Sequence, residues 1–207
     1  MTEARRRRSP AMSADKRRAA IVDAALPLLA EHGATVTTRQ IALAADVAEG
    51  TLFRVFPDKE AILRACVGAL LDTGAVTAEI RALPADAALA DRLTDAAELF
   101  LAHFERAGQL MHALVTTGQD LRELDPDDDP GSARTAYFRE MRAALAEATG
   151  TEAAALRIEP EELAAMLLGQ LMGLHLDQDQ DRRNAVRRRI DVLLRGALAR
   201  HEEDDDG

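Results

Sequence analysis

The chain contains no tryptophan, one tyrosine and five phenylalanines among its 207 residues. Strand-forming residues are scarce, and alanine and leucine supply most of the apolar share, so composition favours an all-helical protein. A single cysteine, Cys66, excludes an intramolecular disulfide framework and fits a reducing compartment. Only three serines occur, Ser9, Ser13 and Ser132, none in a nucleophile elbow. The five histidines (His32, His103, His112, His175, His201) lack the HxxxH or HExxH spacing of a metal site, and there is no GxGxxG or P-loop. The expectation is therefore no metal, no cofactor and no catalytic centre. No apolar run approaches the ~18 residues of a membrane span. Arg5–Arg8 are not followed by the apolar stretch of a secretory signal. A soluble cytoplasmic protein is expected.

Positive charge is also scarce, and it is unevenly placed. The net charge is −10. Residues 1–60 carry ten Lys/Arg against eight Asp/Glu, or +2, and the remainder carries −12. Only the first sixty residues are suited to meeting a polyanion. The Asp-rich segment 125–131 (DPDDDPG) has the wrong residues for a calcium loop. Counted from Asp125, Pro130 stands at the obligatory glycine position and Ala136 at the bidentate glutamate position.

What is present is a succession of helical signals, in a length that suits one large domain or two small ones. Residues 1–12 form a basic, disordered arm. Ser13 caps a helix from about Ala14, with Asp15 in its first turn. Its apolar stripe runs Ile21, Ala24, Ala25, Leu28, Leu29. Pro27 is expected to kink it, and Gly33 to supply a left-handed stop. Thr37 and Gln40 form a capping box for a short helix. A turn with Asp46 in the left-handed region leads to a second short helix over roughly Ala48–Phe56. Asp58 caps a longer helix carrying Ile62, Leu63, Cys66, Val67, Leu70 and Leu71.

Beyond Pro84, Asp86 is placed to cap a helix with the stripe Leu93, Ala97, Phe100, Leu101, Phe104. Gly108 precedes a further short helix with Leu110, Met111, Leu114 and Val115. Tyr137, Phe138, Met141 and Leu145 mark another helix, closed by Gly150. Pro160 opens the next, with Leu163, Met166, Leu167, Leu171 and Leu174. The last carries Val186, Ile190, Leu193, Leu194 and Leu198, followed by an acidic tail, 202–207.

Two short helices joined by a tight turn and braced by an earlier helix make a helix-turn-helix. Residues 16–67, including "TTRQIALAADVAEGTLFRVFPDKEAILRACV", resemble the DNA-binding domain of the TetR family of transcriptional regulators. The resemblance lies in the whole order T-x-R-x-IA, a turn, x-G-T-L-F-R-x-F, then K-E-x-L, over about fifty residues. It implies a helix-turn-helix domain over 13–57 and a helical ligand-binding and dimerisation domain over 58–201. It also implies a homodimeric, bacterial, cytoplasmic, ligand-responsive repressor of a palindromic operator. Partners are then double-stranded DNA, a second copy of the chain and a small-molecule effector.

Individual residues fit that role. Thr37, Thr38 and Arg39 begin the supporting helix and can meet phosphates. Gly50 leaves room for close approach to the DNA backbone, and Thr51 offers a hydroxyl and a methyl. Leu52 and Phe56 are expected in a small core with Ile41 and Ile21. Arg54 can reach a base edge or a phosphate. Glu49 repels phosphate unless it accepts a hydrogen bond from a cytosine amine. Lys59 starts a helix, where a cation opposes the dipole, which suits contact with a phosphate. Arg5–Arg8 suit a minor-groove arm or a solubilising tail.

Three positions depart from the family pattern. Phe53 stands where tyrosine is usual, Val55 where histidine or tyrosine is common, and Ala48 where serine commonly caps the helix. These departures keep open a rival, a helical small-molecule sensor or carrier whose helix-turn-helix no longer reads sequence. A helical enzyme is a further rival.

The resemblance also implies an effector pocket, for which Phe100, His103, Phe104, Met111, Met141 and Met166 are candidates, with His112 or His175 as further polar handles. Residue by residue, ordinary core packing is the competing reading. The last two helices are implied as the dimer seam, through Leu163, Leu167, Gly169, Gly173, Leu174, Val186, Ile190 and Leu194.

Overall fold

The computed structural model describes residues 13–124, 131–177 and 181–197, without the side chains of 175–177 and 197. The Arg5–Arg8 run, most of the Asp-rich segment, Leu198, His201, the acidic tail and the His175 side chain lie outside the described residues. Among those described there are nine α-helices and no strand. Two compact units emerge, one from the described parts of Met1–Leu70 and Gln109–Pro130, the other from those of Leu71–Gly108 and Gly131–Gly207. The first is thus wider than the 13–57 segment.

In the first unit, α1 (Ala14–His32) begins where Ser13 accepts the Lys16 N–H at 3.3 Å, and it runs through Pro27 without ending. Gly33 follows with φ +56° and ψ −143°, which is not the left-handed helical stop expected from sequence. The reason is a close approach. A Cβ on Gly33 would stand 2.2 Å from the Ala113 carbonyl oxygen and 2.4 Å from Thr117 Oγ1. Glycine is required here by space as well as by backbone angle.

Helix α2 (Thr38–Ala44) carries the expected capping box, and Asp46 takes φ +53° in the turn. Helix α3 (Glu49–Val55) starts at Ala48 with no side-chain cap. Asp58 accepts the Ala61 N–H at 2.7 Å and caps α4 (Lys59–Leu71). Ile21, Leu29, Ile41, Leu52, Phe56, Ile62 and Cys66 are fully buried, forming the core expected around α3. The Arg18 guanidinium covers the Phe56 ring at 4.3 Å from its centroid.

Burial pushes the Cys66 thiol up to about 12, with Asp23 adding to the shift. A buried thiol held protonated is inert. Alkylation of the native protein at pH 8 is expected to proceed no faster than unfolding, measured by mass against a denatured control. Rapid labelling of the folded protein would overturn this.

The second unit contains α5 (Gly74–Arg81), most of α6 (Leu89–Thr116), α7 (Ser132–Glu147), α8 (Pro160–Asp177) and α9 (Arg182–Ala197). Lys59–Arg81 has the length and apolar composition of a membrane span, which the sequence reading missed. It forms two helices, because Asp72 turns back to accept the Gly74 N–H at 2.9 Å. Val76, Thr77 and Ile80 of α5 are buried, as are Ile62, Leu63, Cys66 and Val67 of α4.

Two further expectations are corrected. Asp86 does not cap α6. The Asp91 and Arg92 N–H groups donate instead to the Ala88 carbonyl at 2.9 and 3.0 Å. Helix α6 also runs unbroken through Gly108, where no other described residue comes within 4 Å of a Cβ position, and a lone glycine is tolerated at a cost of about 1 kcal/mol. In this unit α7 packs on α8, α8 on α9 and α5 on α7 around Phe100, Met141, Leu145, Leu167, Leu171 and Ile190.

Candidate nucleic-acid interface

Helix α3 is anchored by Leu52 and by Phe56 just beyond its end, both fully buried. They lie four positions apart, so one face is held down and the other is presented outward. Glu49, Gly50 and Arg54 are exposed, Phe53 is 47 % exposed, and Thr51 and Val55 are half-buried. Among the described residues, and apart from the backbone of its own helix, nothing lies within 4 Å of where a Gly50 Cβ would point. No packing among the described residues therefore demands glycine at this position. Gly50→Ala is expected to raise folding stability by about 0.5–1 kcal/mol while weakening DNA binding. Thermal melting and duplex titration of the same sample check both signs, and unchanged affinity would remove the close-approach role.

The supporting helix is more internally engaged than its sequence suggested. Thr37 Oγ1 accepts the Gln40 N–H at 3.2 Å and donates to Gln40 Oε1 at 2.8 Å, so its hydroxyl serves the cap. The Thr38 hydroxyl donates to Glu49 Oε1 at 2.6 Å, linking the start of α2 to the start of α3. Arg39 is exposed. Lys59 is half-buried and its ammonium donates to the Ala34 carbonyl. That partner offsets the cost of a cation at a helix start without any phosphate. Thr38, Arg39, Glu49 and Arg54 thus belong to two linked helices, whereas Thr37 and Lys59 have structural work of their own. The Thr38–Glu49 link spans eleven positions and has no local sequence signal.

The effector candidates separate. Phe100 and Met141 are fully buried, and His103 and Phe104 are half-buried. The Phe100 and Phe104 rings stack at 5.6 Å, and Phe104 lies 6.2 Å from Phe138. Tyr137, absent from the candidates, stacks on His103 at 5.6 Å and meets Phe138 edge-on at 5.2 Å. It is 3 % exposed and its hydroxyl has no hydrogen-bond partner among the described residues. Burial pushes its phenol above the usual range, against an opposite pull from Arg106. Met166 is 48 % exposed on α8, which disagrees with an inward role in one chain. Met111 and His112 fall in the first unit, half-buried and exposed respectively.

Of the dimer candidates, Leu163, Leu167, Leu174, Val186, Ile190 and Leu194 are buried within the single chain. They pack in its core, because the same stripe that suits a partner helix also suits a neighbour in the chain. Gly169 and Gly173 are exposed, with no described residue within 4 Å of where a Cβ would stand on either, apart from the helix's own backbone. Among the described residues no three His, Cys, Asp or Glu side chains gather in a metal-binding group.

Comparison with known proteins agrees with this geometry. The family model described as "Bacterial regulatory proteins, tetR family" matches residues 21–66. The resemblance of this segment to the TetR family is thus borne out. Its match to the family model lies within α1–α4, and likeness to solved TetR-family structures extends the fold over the rest. A putative TetR-family regulator from Mesorhizobium loti covers 91 % of this chain and all of its own, at 17 % identity and a TM-score of 0.72. The TetR regulator SCO0520 of Streptomyces coelicolor covers 87 % of this chain and 98 % of its own, at 25 % identity and 0.50. SmeT of Stenotrophomonas maltophilia, repressor of the multidrug efflux pump SmeDEF, covers 89 % and 91 %, at 21 % and 0.54. No curated protein matches. The segment that the family model matches holds the helix-turn-helix.

Proposed function

We propose that the protein is a ligand-responsive repressor that occupies a palindromic operator as a homodimer in the bacterial cytoplasm. The observation that carries the reading is α3, a helix pinned by Leu52 and Phe56 with Glu49, Gly50 and Arg54 turned outward. One such helix reads too few bases for specificity, and two of them about 34 Å apart would read a palindrome. The outward faces of α8 and α9 suit the pairing. Gly169 and Gly173 permit close backbone approach, while Met166 at 48 % and Val192 at 70 % exposure offer apolar contact.

The Tyr137 cluster is the proposed effector site. A buried hydroxyl without a partner costs about 1–3 kcal/mol, which a ligand's polar atom would recover, and the surrounding rings suit an apolar or aromatic body. SmeT, similar in fold, is a repressor and is known in a complex with triclosan. An effector acts by binding the two states of the dimer unequally.

The deciding experiment is selection of bound duplexes from a random library, then titration of the winner at two salt concentrations. An enriched palindrome with a steep salt slope supports the operator reading. Weak, sequence-blind binding favours the sensor or carrier instead, for which uncapped Ala48 and the apolar Phe53 and Val55 already speak. Because Tyr137 is the only tyrosine and there is no tryptophan, intrinsic fluorescence reports on this one site. A panel of apolar, non-aromatic alcohols and acids that leaves both fluorescence and operator affinity unchanged would count against the effector site.

A further inference from the structure

We propose that Glu49, held by Thr38, reads a cytosine in each half-site of the operator. The inference rests on the operator reading above and adds the base that one side chain selects.

An exposed carboxylate on the outward face of a DNA-reading helix has an ordinary explanation. Glutamate in a first turn is favoured by the positive helix end. The observed side chain does something else. Its Oε1 accepts from the Thr38 hydroxyl on the neighbouring helix at 2.6 Å, and it makes no hydrogen bond to the free N–H groups of its own first turn among the described residues. The contact ties a long, rotatable side chain at a point between α2 and α3. It also leaves the second oxygen and most of the acceptor capacity of the carboxylate unused.

What that fixed acceptor can accept from is limited. Phosphate oxygens repel it. In the major groove, guanine offers N7 and O6 and thymine offers O4, all acceptors, which repel it too. Only the amines of adenine and cytosine donate. Adenine places its N7 acceptor beside the amine, against the second carboxylate oxygen, whereas cytosine has a C–H there. Cytosine is therefore the one base that satisfies the group without a clash of like charge. Thr38 is a positioning residue in this scheme. Its hydroxyl proton is committed to Glu49, so its contribution is orientation of the carboxylate and not donation to a phosphate.

The test is parallel library selection with the full-length wild type, Glu49→Gln and Thr38→Val, with melting curves as a folding control. The wild type is expected to enrich a palindrome with cytosine at one symmetric position. Glu49→Gln is expected to move that position to adenine, which an amide reads through N6 and N7, and to leave the other positions unchanged. Thr38→Val is expected to blunt the cytosine preference without replacing it.

For the wild type alone, exchanging that C·G pair for each of the other three in both half-sites is expected to weaken binding at least about tenfold. This titration stands even if a variant folds poorly. If a palindrome is enriched but Glu49→Gln returns the same letters at every position, the cytosine assignment is overturned and the operator reading survives. If the wild type enriches no sequence at all, both fail together.

Discussion

Replacing Arg54 by alanine is expected to weaken binding to the selected duplex by about a hundredfold or more. The side chain is exposed on α3 and belongs to the outward face left when Leu52 and Phe56 are buried. An arginine on a base edge is worth about 1–3 kcal/mol, and a homodimer loses two of them, so a total near 3 kcal/mol lies at the low end.

The mode of loss separates the two contacts open to Arg54. A base contact predicts relaxed preference at one symmetric position. A phosphate contact predicts uniform weakening with a salt slope shallower by about 2 per dimer. The melting temperature is expected to stay where it is, since an exposed arginine contributes little to folding. Wild-type affinity in the variant would sink the assignment of α3 as the reading helix. Lys59 is a poorer test, because its hydrogen bond to Ala34 mixes a folding effect into any loss of binding.

Arg92→Met is expected to lower the free energy of unfolding by about 4 kcal/mol, measured by urea denaturation. Arg92 is only 4 % exposed. Its Nε donates to the Ala148 carbonyl at 2.6 Å and one terminal nitrogen to that of Thr149 at 3.0 Å. The other terminal nitrogen donates to Ala85 and Ala87 at 3.0 and 2.8 Å. The guanidinium thus closes the C-terminal end of α7 onto the start of α6. Methionine fills much of the volume but leaves the buried carbonyls of Ala148 and Thr149 without a donor. Arg92→Lys is expected to recover only part, because an ammonium cannot span the same fork. A loss below about 1 kcal/mol would mean that water replaces the guanidinium at little cost.

The same side chain predicts an acid response. Its hydrogen bond to Glu152 Oε2, at 2.6 Å, holds that carboxyl below the usual range. A depressed carboxyl stabilises the fold above its unfolded pKa, and that contribution disappears as pH falls through the folded value. The wild type should therefore lose stability more steeply than Arg92→Met on the acid side.

The helix-turn-helix was largely legible because its signals are local. The Thr37–Gln40 box, the Asp46 turn and the Ser13 and Asp58 caps each join residues within a few positions, and all four appear in the structure. The misreadings arose where a local signal met a distant constraint. Gly33 does end α1 with a positive φ, as its sequence signal says, but its ψ leaves the left-handed helical region, and Ala113 and Thr117 crowd the position. Gly108 and Asp86 carry breaking and capping signals that a long helix overrode. The stripes on α8 and α9 correctly mark burial. An apolar stripe does not say whether its neighbour belongs to the same chain, and most of those residues turned inward. Thr38–Glu49, Tyr137 and Arg92 matter through partners that periodicity never pairs.

Ala34 is held from both sides. Its N–H donates to Thr117 Oγ1 at 2.6 Å and its carbonyl accepts from Lys59. The first of these partners lies 83 positions downstream, after the whole of 71–108. The unit that holds the helix-turn-helix is therefore not a contiguous piece of chain, and on the ribosome it stays unfinished until residue 117 has been made. A fragment ending near residue 70 would lose Ala113 and Thr117 from around Gly33 and Ala34 and keep only the Lys59 contact, and closing so long a loop belongs to the slower class of folding steps.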